Sequence, residues 1–173
     1  MLRIGMTMCL RTVQRQDDSS QFILAAGYES GQACVYNVSS SSWSLLYTFK
    51  SHSQPILSLA IHPSQESFYT TSADAVLAHH PIAIATQPIK STNTKHSGQT
   101  SLQIRSDGRL LVSAGWDGVG RVYSTTTLRQ VAVLKWHVGG IQAAAFSSGG
   151  GEGKRWIALG GKDAKISLWD VFN

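Results

Sequence analysis

Residues 107–123 read DGRLLVSAGWDGVGRVY, and this stretch decides the fold. Asp107-Gly108 and Asp117-Gly118 are two-residue turn signals of the kind that join antiparallel strands. The runs at 109–114 and 119–124 are rich in apolar and β-branched residues, as strands are. Together with the run at 99–104, the stretch predicts three antiparallel strands joined by tight hairpins.

The second of these turns recurs along the chain. An acidic residue stands in a tight turn at Glu29, Asp74, Asp117 and Asp163, at intervals of 45, 43 and 46 residues. A short apolar run that closes on an aromatic residue follows three of these turns, at Val35-Tyr36, Val122-Tyr123 and Leu168-Trp169. The chain is therefore built from a repeated unit.

A second series of residues has the same phase. His52, His96 and His137 each precede an apolar strand-like run, and they are 44 and 41 residues apart. Both series have the spacing of WD40 repeats, which form β-propeller blades of about 40–45 residues and four strands, a to d. The sequence predicts an all-β, partial WD40 propeller with blades at 5–49, 56–92 and 99–134 and an incomplete blade at 140–169.

Composition restricts the possible functions. Hydrophobic residues make up 42% of the 173 residues and charged residues 14%, which suits a folded domain. The net charge is +5 and the pI about 9.4, but the basic residues are scattered along the sequence, so direct nucleic-acid binding is not expected.

No apolar run is long enough for a membrane helix, so no membrane partner is expected. Cys9 and Cys34 have no metal-ligand spacing, and they indicate a reducing, intracellular compartment.

The repeated polar residues are interpreted as structural. A loop histidine, a b–c turn aspartate, a strand-b hydroxyl and a strand-c tryptophan can form a hydrogen-bonded chain in a WD40 blade, and variants of it are predicted here. The residues predicted to do so are His52 and Asp74; His96, Ser113, Asp117 and Tyr123; and His137, Asp163 and Trp169. A catalytic triad is disfavoured because the sets recur once per blade. A metal site at His79-His80 is disfavoured because neighbouring strand residues point to opposite faces, so no enzyme activity and no cofactor are expected.

The candidate functional residues are at loop tips. The d–a loops and b–c turns of a propeller share one rim, which would display Tyr28, Trp116, Trp136 and Lys162. Aromatic and cationic residues at such tips are typical of protein-binding hot spots. The alternative is that Trp116 and Trp136 fold down over neighbouring blades. For Trp136 the two interpretations are evenly matched, whereas the two-residue turn at Trp116 favours binding.

Four stretches resemble a narrower branch of the WD40 class. They are Gly5-Met6 with Met8-Cys9-Leu10-Arg11, Ala26-Gly27-Tyr28-Glu29-Ser30-Gly31, Ala114-Gly115-Trp116-Asp117-Gly118, and Lys162-Asp163 with Ile166-Ser167-Leu168-Trp169. They are similar to the C-terminal blades of the ASTRA-associated protein 1 family and of its animal counterpart, the guanine nucleotide-binding protein β-subunit-like protein 1. The resemblance covers nearly the whole chain, and it is weakest at 74–98 and 147–155.

This resemblance implies a seven-bladed propeller that acts as a non-catalytic scaffold subunit of an ASTRA-type complex. It implies protein partners in chromatin remodelling and in the co-chaperone-assisted maturation of phosphatidylinositol-3-kinase-related kinases. It also implies a nuclear location, with the cytoplasm as an additional one. Because the chain holds four repeats and the last lacks strand d, we expect a truncated form of the propeller.

Two other function classes remain open at this stage. A G-protein β-like signalling module would require a γ-binding helix ahead of the first blade, and the sequence shows none there. A small hydrolase that uses one His/Asp/Ser set would be revealed by a broad hydrolase screen.

Overall fold

The computed structural model describes residues 4–83, 87–147 and 155–171. Over these residues the regular structure consists of strands only, arranged in antiparallel sheets of four, four, four and three strands. The all-β prediction is confirmed. No described helix is long and apolar enough to cross a membrane.

Each sheet is a meander in which consecutive strands pair. The first sheet comprises β1 (Thr7–Gln14), β2 (Gln21–Tyr28), β3 (Gln32–Ser39) and β4 (Trp43–Lys50). The second comprises β5 (Ile56–Ile61), β6 (Ser67–Ser72), β7 (Val76–Pro81) and β8 (Lys90–Asn93). The third comprises β9 (Gln99–Ile104), β10 (Leu110–Gly115), β11 (Val119–Ser124) and β12 (Gln130–Lys135), and the fourth β13 (Ile141–Phe146), β14 (Trp156–Gly161) and β15 (Ile166–Asp170).

The core lies between successive sheets. One apolar cluster joins the first and second sheets through residues such as Val35, Ile56 and Phe68. A second cluster joins the second and third sheets, and a third joins the third and fourth. The sheets therefore stack face to face in chain order, as propeller blades do.

The first strands of successive sheets are also linked through serine side chains. The Ser58 hydroxyl on β5 accepts a hydrogen bond from the Leu102 amide on β9, at 3.1 Å. The Ser101 hydroxyl on β9 accepts one from the Ala144 amide on β13, at 3.2 Å. β5 therefore holds the backbone of β9, and β9 holds that of β13.

Loops and turns from neighbouring sheets meet at one end of the stack, which we call the upper rim. It consists of the d–a loops 51–55, 94–98 and 136–140 and the b–c turns 29–31, 73–75, 116–118 and 162–165. Backbone hydrogen bonds join each loop to a turn, for example from Trp116 N to the Gly98 carbonyl at 2.9 Å and from Lys162 N to the Gly140 carbonyl at 2.9 Å. The opposite end, with the a–b hairpins and c–d turns, is the lower rim.

Candidate protein-binding rim

A hydrogen-bonded chain crosses the second sheet beneath the upper rim. His52 Nδ1 lies 3.1 Å from the Asp74 carboxylate, His52 Nε2 lies 2.8 Å from the Thr70 hydroxyl, and that hydroxyl lies 2.9 Å from His80 Nε2. Because a carboxylate only accepts, His52 donates from Nδ1 and leaves Nε2 to accept from Thr70. Thr70 in turn accepts from His80. The chain ties the loop 51–55 to the turn 73–75 and to two strands.

The ionisation states in this chain follow from its burial. Burial lowers the pKa of His52 and opposes the effect of Asp74, which raises it. Burial lowers the pKa of His80 to about 3. Burial would raise the pKa of Asp74, but the amides of Val76 and Ser53 and the ring of His52 donate to its carboxylate, and the net shift is downward. The network is therefore a carboxylate with two neutral imidazoles.

The fourth sheet contains a chain of the same kind. His137 Nδ1 lies 3.0 Å from the Asp163 carboxylate, and its Nε2 lies 3.0 Å from the Ser167 hydroxyl. The indole nitrogen of Trp169 donates to the same hydroxyl at 2.8 Å. Hydrogen bonding from His137 lowers the pKa of Asp163. The structure thus brings together the predicted residues His137, Asp163 and Trp169, with Ser167 as the link between them.

Sequence reasoning missed the hydroxyl groups of both chains. Thr70 is on strand b of its sheet and pairs with Ala78, whereas Ser167 is on strand c and pairs with Leu159. In the fourth sheet the hydroxyl therefore comes from strand c and not from strand b as predicted, because each position faces the loop histidine of its own network. The signal was available in the spacing, since Thr70 lies four residues before the turn aspartate and Ser167 four residues after it.

The chain predicted for the third sheet is wrong. Arg121 binds the Asp117 carboxylate: its two terminal nitrogens donate to the carboxylate oxygens at 2.6 and 3.1 Å. His96 is left 3.7 Å away with its side chain 41% exposed, and it does not link Asp117 to Ser113 or Tyr123, which are buried nearby. A permanently charged guanidinium with two donors binds a carboxylate more strongly than an imidazole does.

Tyr28 is also placed differently from the prediction. Its side chain is only 8% exposed and packs with Ala26 and Cys34, and its hydroxyl lies 3.1 Å from that of Tyr36. Tyr28 ends β2 on the face turned away from the second sheet, where neighbouring side chains bury it, so it is not displayed on the upper rim. The adjacent exposed residue, Glu29, accepts a hydrogen bond from the Met6 amide at 3.3 Å.

The other predicted rim residues are accessible. Trp116 is 51% exposed, and its ring lies directly on Gly98, where an added Cβ would come within 2.2 Å of ring atoms. Trp136 is 53% exposed, with its ring edge-on to His137 at 5.1 Å between centroids and the Lys165 ammonium 5.6 Å from its centroid. Lys162 is exposed in the adjoining turn. Both indoles are therefore supported on one side and open on the other.

The adjacent histidines of the second sheet lie on opposite faces of β7. His79 stacks on Tyr69 with 4.2 Å between centroids, and His80 stacks on Phe68 at 4.7 Å. Among the described residues, no group of three or more His, Cys, Asp or Glu side chains is placed to hold a metal ion.

Comparison with known proteins gives a consistent result. The family model for the WD domain, G-beta repeat, matches residues 43–78 and 87–124. The chain is 41% identical to ASTRA-associated protein 1 of Verticillium alfalfae over 97% of its own length and 51% of the relative. It is also 41% identical to the protein of that name from Schizosaccharomyces pombe, over 90% of this chain and 45% of the relative.

The Aspergillus niger protein of the same name is 33% identical over 99% of this chain and 54% of the relative. The chain thus spans about half the length of the curated relatives that it matches. Among solved structures, one chain in the crystal structure of the mitotic checkpoint complex superimposes with a TM-score of 0.74. That match has 23% identity and covers 88% of this chain and 49% of the other, so it shows a shared fold.

Proposed function

This chain belongs to the WD40-repeat family of ASTRA-associated protein 1, and we propose that it is a non-catalytic scaffold subunit of an ASTRA-type complex. The observation that carries the proposal is the 41% identity over 97% of the chain to a relative of that name. Because the chain spans about half of each relative, the activity and partners of the whole protein belong to this proposal.

The geometry of the histidine networks supports a role without catalysis. A hydrolytic triad needs a nucleophilic hydroxyl that a substrate can reach. Thr70 is fully buried and Ser167 is 7% exposed, and the side chains of His52 and His137 are both fully buried. Each hydroxyl is also engaged on two sides, so the networks hold the loops of the upper rim in place.

The finer parts of the proposal concern the cellular role. We propose that the complex acts in chromatin remodelling and in the maturation of phosphatidylinositol-3-kinase-related kinases, in the nucleus and additionally in the cytoplasm. The partners are then protein subunits of the complex and of a kinase-maturation co-chaperone. The upper rim, with Trp116 and Trp136 half-exposed on rigid supports, is the surface we assign to them.

Affinity purification of the tagged protein from fungal cells tests this proposal. We expect the other subunits of an ASTRA-type complex to be recovered, and kinase-maturation factors with them. A folded, expressed protein that recovers none of these subunits would contradict the proposal. Recovery of the complex without kinase-maturation factors would remove only the finer role.

A further inference from the structure

We infer that the upper rim binds an acidic segment of a partner protein, with the two exposed tryptophans as apolar anchors and the surrounding lysines as charge partners. The inference rests on the proposed scaffold function and names the chemistry of the partner at that same surface.

The lysines are concentrated at this end of the molecule. Five of the six lysines that the structure describes lie on or beside the upper rim, and each is exposed: Lys50, Lys95, Lys135, Lys162 and Lys165. The sixth, Lys90, begins β8 near the lower rim. None of the five forms an ion pair with another described residue. Their charges are therefore available to a partner.

The carboxylates of the same rim are mostly engaged within the protein. The side chains of Asp74 and Asp163 are only 10% and 11% exposed, and each is held by a buried histidine. Asp117 is more exposed, but Arg121 binds it with two hydrogen bonds. Glu29 is the remaining exposed acid among the described residues of the rim. A partner therefore meets a surface of predominantly positive charge.

The lower rim carries charges of both signs. Arg15 pairs with Asp17, and Asp107 pairs with both Arg105 and Arg155. Exposed cations without an ion pair among the described residues also lie at that end, at Lys90, Arg109 and Arg129. The attraction of an acidic partner to the upper rim therefore rests on its five unpaired lysines beside the two tryptophans.

The tryptophans add apolar anchors to this charged surface. Trp116 rests on Gly98, and Trp136 forms one wall of a shallow cavity of about 300 Å³ that is also lined by Ile166, Leu168 and Trp169. Because each indole is supported on one side, little rotamer entropy is lost when a partner covers the other side. The complementary ligand is an acidic segment that also carries an aliphatic or aromatic residue.

The proposed scaffold function favours a protein ligand over a nucleic acid. Arginine pairs bidentately with phosphate and with carboxylate, whereas a lysine ammonium is a point charge that attracts either anion. Arg121, which lies beside the turn 116–118, has a side chain only 4% exposed and is bound to Asp117. The rim thus offers lysine ammonium groups, and the choice of protein carboxylates as their partners rests on the scaffold function and on the apolar anchors beside the lysines.

Selection from a random peptide library on the purified protein tests the inference. We expect the enriched peptides to be rich in aspartate and glutamate and to contain an apolar residue. A triple variant, Lys95→Glu, Lys162→Glu and Lys165→Glu, should weaken the selected peptides by at least about tenfold. The matched control, Lys90→Glu, Arg109→Glu and Arg129→Glu, carries the same charge change near the lower rim and should leave binding unchanged. If charge reversal prevents folding, peptide binding is measured instead on a variant with glutamine at Lys95, Lys162 and Lys165, which removes the charges without reversing them.

Three outcomes would overturn the inference. The selected peptides could be neutral or basic, the lower-rim control could lose as much affinity as the rim variant, or oligouridylate RNA could bind the rim and displace the peptides. The proposed function is tested separately by purification of the complex. If the subunits are recovered but the peptides are not acidic, only the inference about partner chemistry fails.

Discussion

His80 occupies in the second sheet the position that Trp169 holds in the fourth. Each lies on strand c and donates a ring N–H to a hydroxyl, which in turn donates to the histidine of the d–a loop. The two rings differ in size, and the space in the second sheet is filled by Phe49 and Phe68, which contact His80 at 5.2 and 4.7 Å between centroids. The same network is thus built with two different aromatic donors.

Replacement of Thr70 by valine should destabilise the protein. Thr70→Val keeps the shape of the side chain but leaves nitrogens of two buried histidines without their partner, at a cost of about 1–3 kcal/mol. Thr71→Val is the matched control, because Thr71 is equally buried and its hydroxyl has no partner among the described residues. Urea unfolding measures both variants. Equal losses of stability would show that the hydroxyl network contributes nothing specific.

His80 should make stability depend on pH between about 6.5 and 3. Burial lowers its pKa from 6.5 to about 3 in the folded protein, whereas the unfolded chain binds the proton near the ordinary value. The contribution of neutral His80 to stability is therefore complete above pH 6.5 and is lost progressively as the pH falls towards 3. His80→Phe removes the titrating group, and unfolding measured across this range should show a shallower slope. An unchanged slope would contradict the assignment.

Trp116 should be a binding residue whose loss leaves the fold intact. Trp116→Ala is expected to weaken recovery of the complex by about thirtyfold in affinity, which corresponds to about 2 kcal/mol. Trp43→Ala is the matched control, because Trp43 is 67% exposed at the start of β4 near the lower rim. Quantitative co-purification and thermal melting are measured for both. If Trp116→Ala melts early and binds normally once folded, Trp116 is a packing residue.

A glycine in place of Ala164 should stabilise the turn 162–165. Ala164 has a φ of 58°, a left-handed conformation that Gly118 provides in the third sheet with a φ of 76°. Ala164→Gly should therefore raise the free energy of unfolding by up to about 1 kcal/mol. The reverse change, Gly118→Ala, should lower it, because the new Cβ would also lie 2.9 Å from the His137 carbonyl oxygen. Chemical denaturation of both variants checks the pair, and a shift of the same sign in both would refute the explanation.

The repeated sheets were predictable because hairpin signals and repeat spacing are local properties of the sequence. The pairs His52–Asp74 and His137–Asp163 followed from the same spacing. Thr70, Ser167 and Arg121 were missed because strand register selects them. Each lies four residues from a turn aspartate; Thr70 and Ser167 face a loop histidine, and Arg121 faces the aspartate itself. Tyr28 was misplaced because strand alternation at the end of β2 puts it on the face opposite the second sheet, where Ala26, Cys34 and Tyr36 bury it.

The upper rim was only partly predictable for a related reason. Trp116, Trp136 and Lys162 stand at loop tips in the sequence, and the structure leaves them exposed there. The clustering of five lysines was not visible, because they are spread from position 50 to position 165. Only the stacking of the sheets brings them to one end.

The serine hydroxyls of β5 and β9 make the separation of adjacent sheets measurable by amide hydrogen exchange. The amides of Leu102 and Ala144 are protected by side chains of the preceding sheet, so their hydrogen exchange reports on the integrity of a neighbour. Separation of two sheets would expose such an amide even while the sheet that carries it stays folded. The exchange rate of the Leu102 amide would then report the free energy of separating the second sheet from the third, and that of the Ala144 amide the free energy of separating the third from the fourth.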